Sequence, residues 1–154
     1  MLERHLVGEP AQAAFGAQLS ACLPARAVIE LNGDLGTGKT TLVRGLLRAL
    51  GHRGAVRSPT YTLLESYEID AHRIHHLDLY RLGDPEELEY IGIRDLLSDA
   101  AVLFIEWPQR GGGVLPTADL EIRLQHANQG RDLLLRAGTP VGEGILSCLG
   151  PVRE

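Results

Sequence analysis

An α/β architecture, a mixed sheet flanked by helices, is what these 154 residues encode. Two short apolar runs, residues 27–31 and 101–105, are rich in β-branched side chains and read as buried strands. Between them, residues 40–50 carry apolar side chains at helical spacing and stop at Gly51, a residue suited to a helix C-terminus. Near the end, residues 118–126 and 131–137 resemble strands around Asn128-Gln129-Gly130, which predicts an antiparallel pair.

The remaining elements follow in chain order. Residues 10–23 are an Ala-rich amphipathic helix, with Pro10 suited to its first turn. Strands are expected at 62–69 and 73–79. Asp84 marks a helix start as N-cap, with Pro85 at the first position and Glu87 completing a capping box. A short helix closes the chain at 141–149. With no repeat, low-complexity tract or long linker, residues 1–154 are expected to form one domain.

Composition removes several function classes. A chain 44% hydrophobic and 23% charged is globular rather than disordered. The net charge of −5 argues against gripping nucleic acid unaided, because phosphate neutralisation needs a concentrated basic surface. No run approaches the ~18 apolar residues of a membrane span. The N-terminus lacks a signal pattern, so a cytoplasmic protein without a membrane partner is expected. Cys22 and Cys148 are far apart and outside any CxxC pattern, and are expected as two buried, reduced thiols.

The strand at 27–31 runs into Gly33-Asp34-Leu35-Gly36-Thr37-Gly38-Lys39-Thr40, which fits G-x-x-x-x-G-K-[ST] at every fixed position. Glycines let the backbone curl round a phosphate, and the following helix N-terminus adds favourable partial charge. Lys39 would reach the β- and γ-phosphates, and the Thr40 hydroxyl would ligate Mg²⁺. Strand, loop and helix together predict a P-loop NTPase. Fourteen arginines accompany a single lysine, and that lysine stands in the loop. A guanine-reading Asn-Lys-x-Asp motif is therefore impossible here, which makes ATP the expected nucleotide.

A P-loop metal site usually takes an acid from the end of a neighbouring strand. Glu106 ends the apolar run AVLFIE and Asp78 ends IHHLD. One would ligate Mg²⁺ while the other orients the attacking water. Ser58-Pro59-Thr60-Tyr61, about twenty residues beyond Lys39, offers Ser58 and Thr60 hydroxyls on a stiffened loop able to sense a γ-phosphate. An ordinary Ser-Pro turn fits the same residues. His75 and His76 lack companion metal ligands, and strand alternation predicts one inward and one outward.

The blocks LNGDLGTGKTTLVRGLLRALG, SPTYTLLESY, HHLDLYRLGDPEELEYIGIRDLL and LFIEWPQ resemble the TsaE (YjeE) family, as does the later LPTADLEIRLQHANQGRDLLLRAG. The resemblance implies a P-loop ATPase required to form threonylcarbamoyladenosine in tRNAs that read codons beginning with adenine. It also implies weak hydrolysis alone, dependence on the TsaB and TsaD proteins, and contact with tRNA only through them. Carried over by position, Gly33 through Thr40 cradle the phosphates and Thr41 continues the site. Thr40 and Glu106 match the metal positions, and Asp78 matches an acid important for activity. Thr60 falls in a switch-like loop, Arg131 matches a nucleotide-contacting arginine, Glu9 lies near an N-terminal contact, and Trp107 adjoins the nucleotide. A small-molecule kinase and a non-hydrolysing ATP-binding adaptor are the competing readings. Against the kinase, the second half is strand-rich, with Arg123, Arg131 and Arg136 spread along strands.

Overall fold

The computed structural model describes residues 1–150; the last four residues of the expected 1–154 domain lie outside the described residues. Seven strands run as β1 (Leu2–Leu6), β2 (Ala27–Asn32), β3 (Leu64–Ile69), β4 (His72–Asp78), β5 (Val102–Glu106), β6 (Leu120–Ala127) and β7 (Gly130–Ala137). The helices are α1 (Gly8–Ser20), α2 (Lys39–Leu50), α3 (Glu87–Tyr90), α4 (Ile93–Ser98) and α5 (Pro140–Leu149), with a 3-10 segment over Pro108–Val114. All seven strands join one sheet in the order β1-β7-β6-β2-β5-β4-β3. The four central strands β6, β2, β5 and β4 are parallel, while β3, β7 and β1 add antiparallel edges.

Alternation along the strands sends side chains to two separate cores. Ile29, Leu31, Phe104 and Ile122 pack with Phe15 and Leu19 of α1 and Leu42 and Leu46 of α2. Leu77, Leu103 and Ile105 pack on the opposite face with Leu88 of α3 and Ile93 of α4. The central strands β2, β4 and β5 end at Asn32, Asp78 and Glu106, and that edge carries the polar residues discussed below.

Three features differ from expectation. The helix expected from Asp84 is two short ones, because Gly92 turns left-handed at φ 75° between them. Asp84 Oδ1 accepts the Glu86 N–H at 2.9 Å, and α3 begins only at Glu87, so no capping box forms. The segment Leu2–Leu6, unassigned from sequence, pairs antiparallel with β7. Cys22 and Cys148 are not buried thiols but a disulfide, with Cys22 half-buried and Cys148 exposed. Cys22 lies just beyond α1 and Cys148 within α5, 126 positions further along the chain, and the two helices are in contact.

The contact between α1 and α2 is unusually close. A Cβ at Gly45 would stand 2.5 Å from the Ala13 carbonyl oxygen of α1. Alanine at an exposed helix-interior glycine gains up to ~1 kcal/mol, but here it would wedge the two helices apart. We expect Gly45→Ala to destabilise the protein by about 1–3 kcal/mol in urea unfolding. A variant more stable than the parent would show that the helices separate freely.

Candidate functional site

Between β2 and α2 the chain turns through Gly33–Gly38, and no side chain caps the N-terminus of α2. The first-turn N–H groups are therefore left for another acceptor. Gly38 sits at φ 100°, a region that side-chain-bearing residues rarely adopt, and a Cβ there would lie 2.5 Å from the Gln12 amide. Buried Gln12, on α1, donates from Nε2 to the Thr37 carbonyl at 3.1 Å. From the far side Arg131 donates from Nε to the same carbonyl at 3.2 Å and from Nη2 to that of Gly36 at 3.1 Å. The Thr37 hydroxyl closes the turn onto the Asp34 carbonyl at 2.8 Å. Asp34, Leu35 and Gly36 remain exposed, while Thr40 and Thr41 are half-buried in the first turn of α2.

Lys39 is buried. Its Nζ donates to the Gly33 carbonyl at 2.6 Å and stands 3.5 Å from Glu106 Oε1. The Trp107 ring centroid lies 4.8 Å from the same nitrogen. Trp107 reaches this position through a left-handed backbone, φ 56° and ψ 50°, which is rare for an aromatic residue. Tyr80 packs against it with ring centroids 5.0 Å apart.

Parallel pairing of β4 with β5 sets Asp78 opposite Glu106, both at strand ends and both buried. Burial raises the Asp78 carboxyl above its ordinary range, and the Glu106 charge adds to the rise. The Tyr80 N–H, 3.0 Å from Oδ1, the Thr60 hydroxyl, 3.3 Å from Oδ2, and the Lys39 charge pull the other way. Thr60 in turn meets the Ser58 hydroxyl at 2.8 Å. The loop that follows α2 is thereby tied to a strand-end acid, with Ser58 attached only through Thr60.

Both histidines are buried, contrary to the expectation of one facing outward. Alternation does send them to opposite faces, and His75, on the face of Leu77, is covered there by Ser66 and Asp99. His75 Nδ1 pairs with the Ser66 hydroxyl of β3 at 2.8 Å, and His76 Nε2 lies 2.6 Å from Glu106 Oε2.

Two carboxylates thus share a buried strand end with one ammonium, leaving a deficit of positive charge. Among the described residues no group of three or more His, Cys, Asp or Glu could hold a metal by itself. That arrangement suits Mg²⁺, which takes one or two carboxylates and completes its shell with phosphate oxygens and water. Glu106, at the end of β5, and Thr40, in the first turn of α2, are residues whose oxygens could serve such an ion. A cleft of about 910 Å³ opens beside the loop, lined by Gly33, Thr37, Lys39, Trp107, Glu121 and Arg123 among others.

The fold therefore brings together the loop 33–40, Asp78, Glu106, Trp107, Thr60 and Arg131. Glu9 is exposed in the first turn of α1, one helical turn from Gln12, and makes no hydrogen bond or ion pair among the described residues. Gln12 and Tyr80 escaped the sequence reading. The signal for Gln12 was a polar side chain in an otherwise apolar, Ala-rich stripe.

A family model described as "Threonylcarbamoyl adenosine biosynthesis protein TsaE" matches residues 7–133. A Haemophilus influenzae protein named "tRNA threonylcarbamoyladenosine biosynthesis protein TsaE" is 50% identical over 120 residues, spanning 78% of this chain and 76% of the relative. One of the same name from Rickettsia bellii is 38% identical over 112 residues, 72% of this chain and 77% of that one. The crystal structure of YdiB from Bacillus subtilis superposes with a TM-score of 0.82 at 24% identity, covering 96% of this chain and 93% of that one, and so shares the fold.

One titration is open to test. Burial raises the carboxyl of Glu30, in the cleft wall, above the usual carboxylate range; the Glu121 charge adds to this and a hydrogen bond from Asn32 opposes it. The folded state then binds the proton more tightly than the unfolded state, so Glu30 costs stability as pH rises through the window above 4.5. Glu30→Gln should stabilise the protein at pH 7, and the gain should vanish near pH 4. An equal gain at both pH values in denaturant titrations would contradict this.

Proposed function

We propose, since this chain belongs to the TsaE family, that it is a P-loop ATPase required for threonylcarbamoyladenosine formation in tRNAs reading codons that begin with adenine. ATP binding and hydrolysis are coupled to the TsaB–TsaD transferase complex. The observation that carries this reading is the position of Lys39, between a preformed phosphate loop and two strand-end acids.

The residues divide the work by their chemistry. Backbone N–H groups of residues 33–41 cradle the phosphates, and the Lys39 ammonium leaves Gly33 to clamp the β- and γ-phosphates. Thr40 and Glu106 would hold Mg²⁺, which when bound would supply positive charge against the phosphoryl oxygens. Asp78 accepts a hydrogen bond from the attacking water and orients it. Thr60, bonded to Asp78, links that acid to the Ser58–Thr60 loop, so occupancy of the γ-phosphate position is felt at the surface. Arg131 and Glu9 flank the nucleotide, and Trp107 reports on it.

The acidic net charge leaves tRNA to the partners. No helix among the described residues is long and apolar enough to cross a membrane, and we place the activity in the cytoplasm. In the strand-rich second half Arg123 on β6 and Arg131 and Arg136 on β7 are spread along strands, which counts against the clustered arginines of a kinase lid.

Phosphate release from ATP should be slow with the chain alone and clearly faster once TsaB and TsaD are added. Lys39→Ala should lower the stimulated rate at least ~100-fold, the scale of losing one key charge-stabilising donor. A rate that stays flat with both partners present would favour a non-hydrolysing adaptor. Transfer of the phosphoryl group to a small metabolite would favour a kinase.

A further inference from the structure

We infer that His76 is a positioning residue that locks the Glu106 carboxylate with one oxygen withdrawn and the other presented to the phosphate side. This rests on the proposed Mg²⁺ role of Glu106.

His76 is wholly buried on β4, two residues before Asp78 and therefore on the same face of the sheet. Its register partner on β5 is Phe104, so the imidazole reaches diagonally to Glu106, two residues further along. The contact is short, 2.6 Å from Nε2 to Oε2. A carboxylate only accepts, so the imidazole proton belongs on Nε2. Nδ1 is then left buried without a partner. An unpartnered ring nitrogen in a core is a cost that an apolar side chain would avoid. The neighbours Ile74 and Phe104 show that such side chains suit this layer. What His76 does that a leucine cannot is hold Oε2.

With Oε2 committed, Oε1 is the oxygen facing Lys39, at 3.5 Å. A carboxylate fixed in this way binds a cation through a single oxygen. Mg²⁺ demands near-ideal octahedral geometry and accepts that, whereas Ca²⁺ tolerates two-oxygen carboxylate binding and a looser shell. His76 therefore both strengthens the metal position and favours the smaller ion. Hydrogen-bond partners of metal ligands commonly contribute on this scale, 10–100-fold in metal affinity.

The chain contains one tryptophan, Trp107, beside Lys39, so its fluorescence reads ATP binding without any turnover. We would titrate Mg²⁺, and separately Ca²⁺, into full-length protein with ATP. The wild type would be compared with His76→Leu, His76→Gln and His76→Asn. In EDTA all four should bind ATP alike. His76→Leu should raise the Mg²⁺ midpoint about 10–100-fold and the Ca²⁺ midpoint much less. Glutamine, whose amide nitrogen extends as far as Nε2, should recover most of the loss.

A leucine variant with the wild-type Mg²⁺ midpoint, or a glutamine variant no better than leucine, would overturn the assignment. Should leucine fail to fold, glutamine against asparagine decides, because the shorter amide cannot reach Oε2; equal midpoints would again overturn it. Wild-type ATP binding that ignores Mg²⁺ would sink the metal role of Glu106 itself. Wild-type dependence with unaltered variants removes only the part assigned to His76.

Discussion

Placing one ammonium and two carboxylates at the buried ends of adjacent parallel strands is the constraint to which the rest of this chain is fitted. Isolated charges are costly to bury, and each must be paired and hydrogen-bonded. Lys39 meets the Gly33 carbonyl and Glu106; Glu106 meets His76 as well; Asp78 takes the Tyr80 N–H and the Thr60 hydroxyl. The His76–Glu106 contact, and the placing of Asp78 opposite Glu106, would not survive a change in the register of β4 against β5. The apolar remainder of both strands, packed on two faces, holds that register because a one-residue slip would turn every core side chain to the wrong face.

The loop is held as firmly as the acids. Gln12 approaches it from α1 and Arg131 from β7, and both bond the carbonyl of Thr37. Two donors on one carbonyl leave the backbone N–H groups on the inner side of the turn unengaged by those side chains. Preorganisation of this kind removes the cost of ordering a glycine-rich segment at the moment a phosphate arrives. The close approach of α1 to α2 at Gly45 serves the same end, since it fixes the helix that begins at Lys39 relative to the helix carrying Gln12.

What could be read from the residues alone was local. The strand–loop–helix unit, the acids at the ends of IHHLD and AVLFIE, and the terminal strand pair all have short-range patterns, and the sheet contains each of them. Arg131 has no such pattern, and its relation to the loop entered only through family resemblance. Pairing of β1 with β7 and the Cys22–Cys148 link depend on strand order, which no single segment encodes. His76 was invisible for a related reason: in sequence it is one of two adjacent histidines, and only the neighbouring strand distinguishes it from His75. The Asp84 helix start misled because a strong local signal was cut short by Gly92 eight residues later.

The position of β6 and β7 has a consequence for how the molecule is made. β2 is emitted early from the ribosome, yet one of its two neighbours in the sheet is β6, and the arginine that braces the loop lies 94 residues beyond Thr37. Parallel pairing of distant segments is slow, because long stretches of chain must be closed before any contact rewards them. The Gly33–Gly38 loop therefore leaves the exit tunnel well before its supports do, and it cannot reach its finished geometry until β6 and β7 have followed.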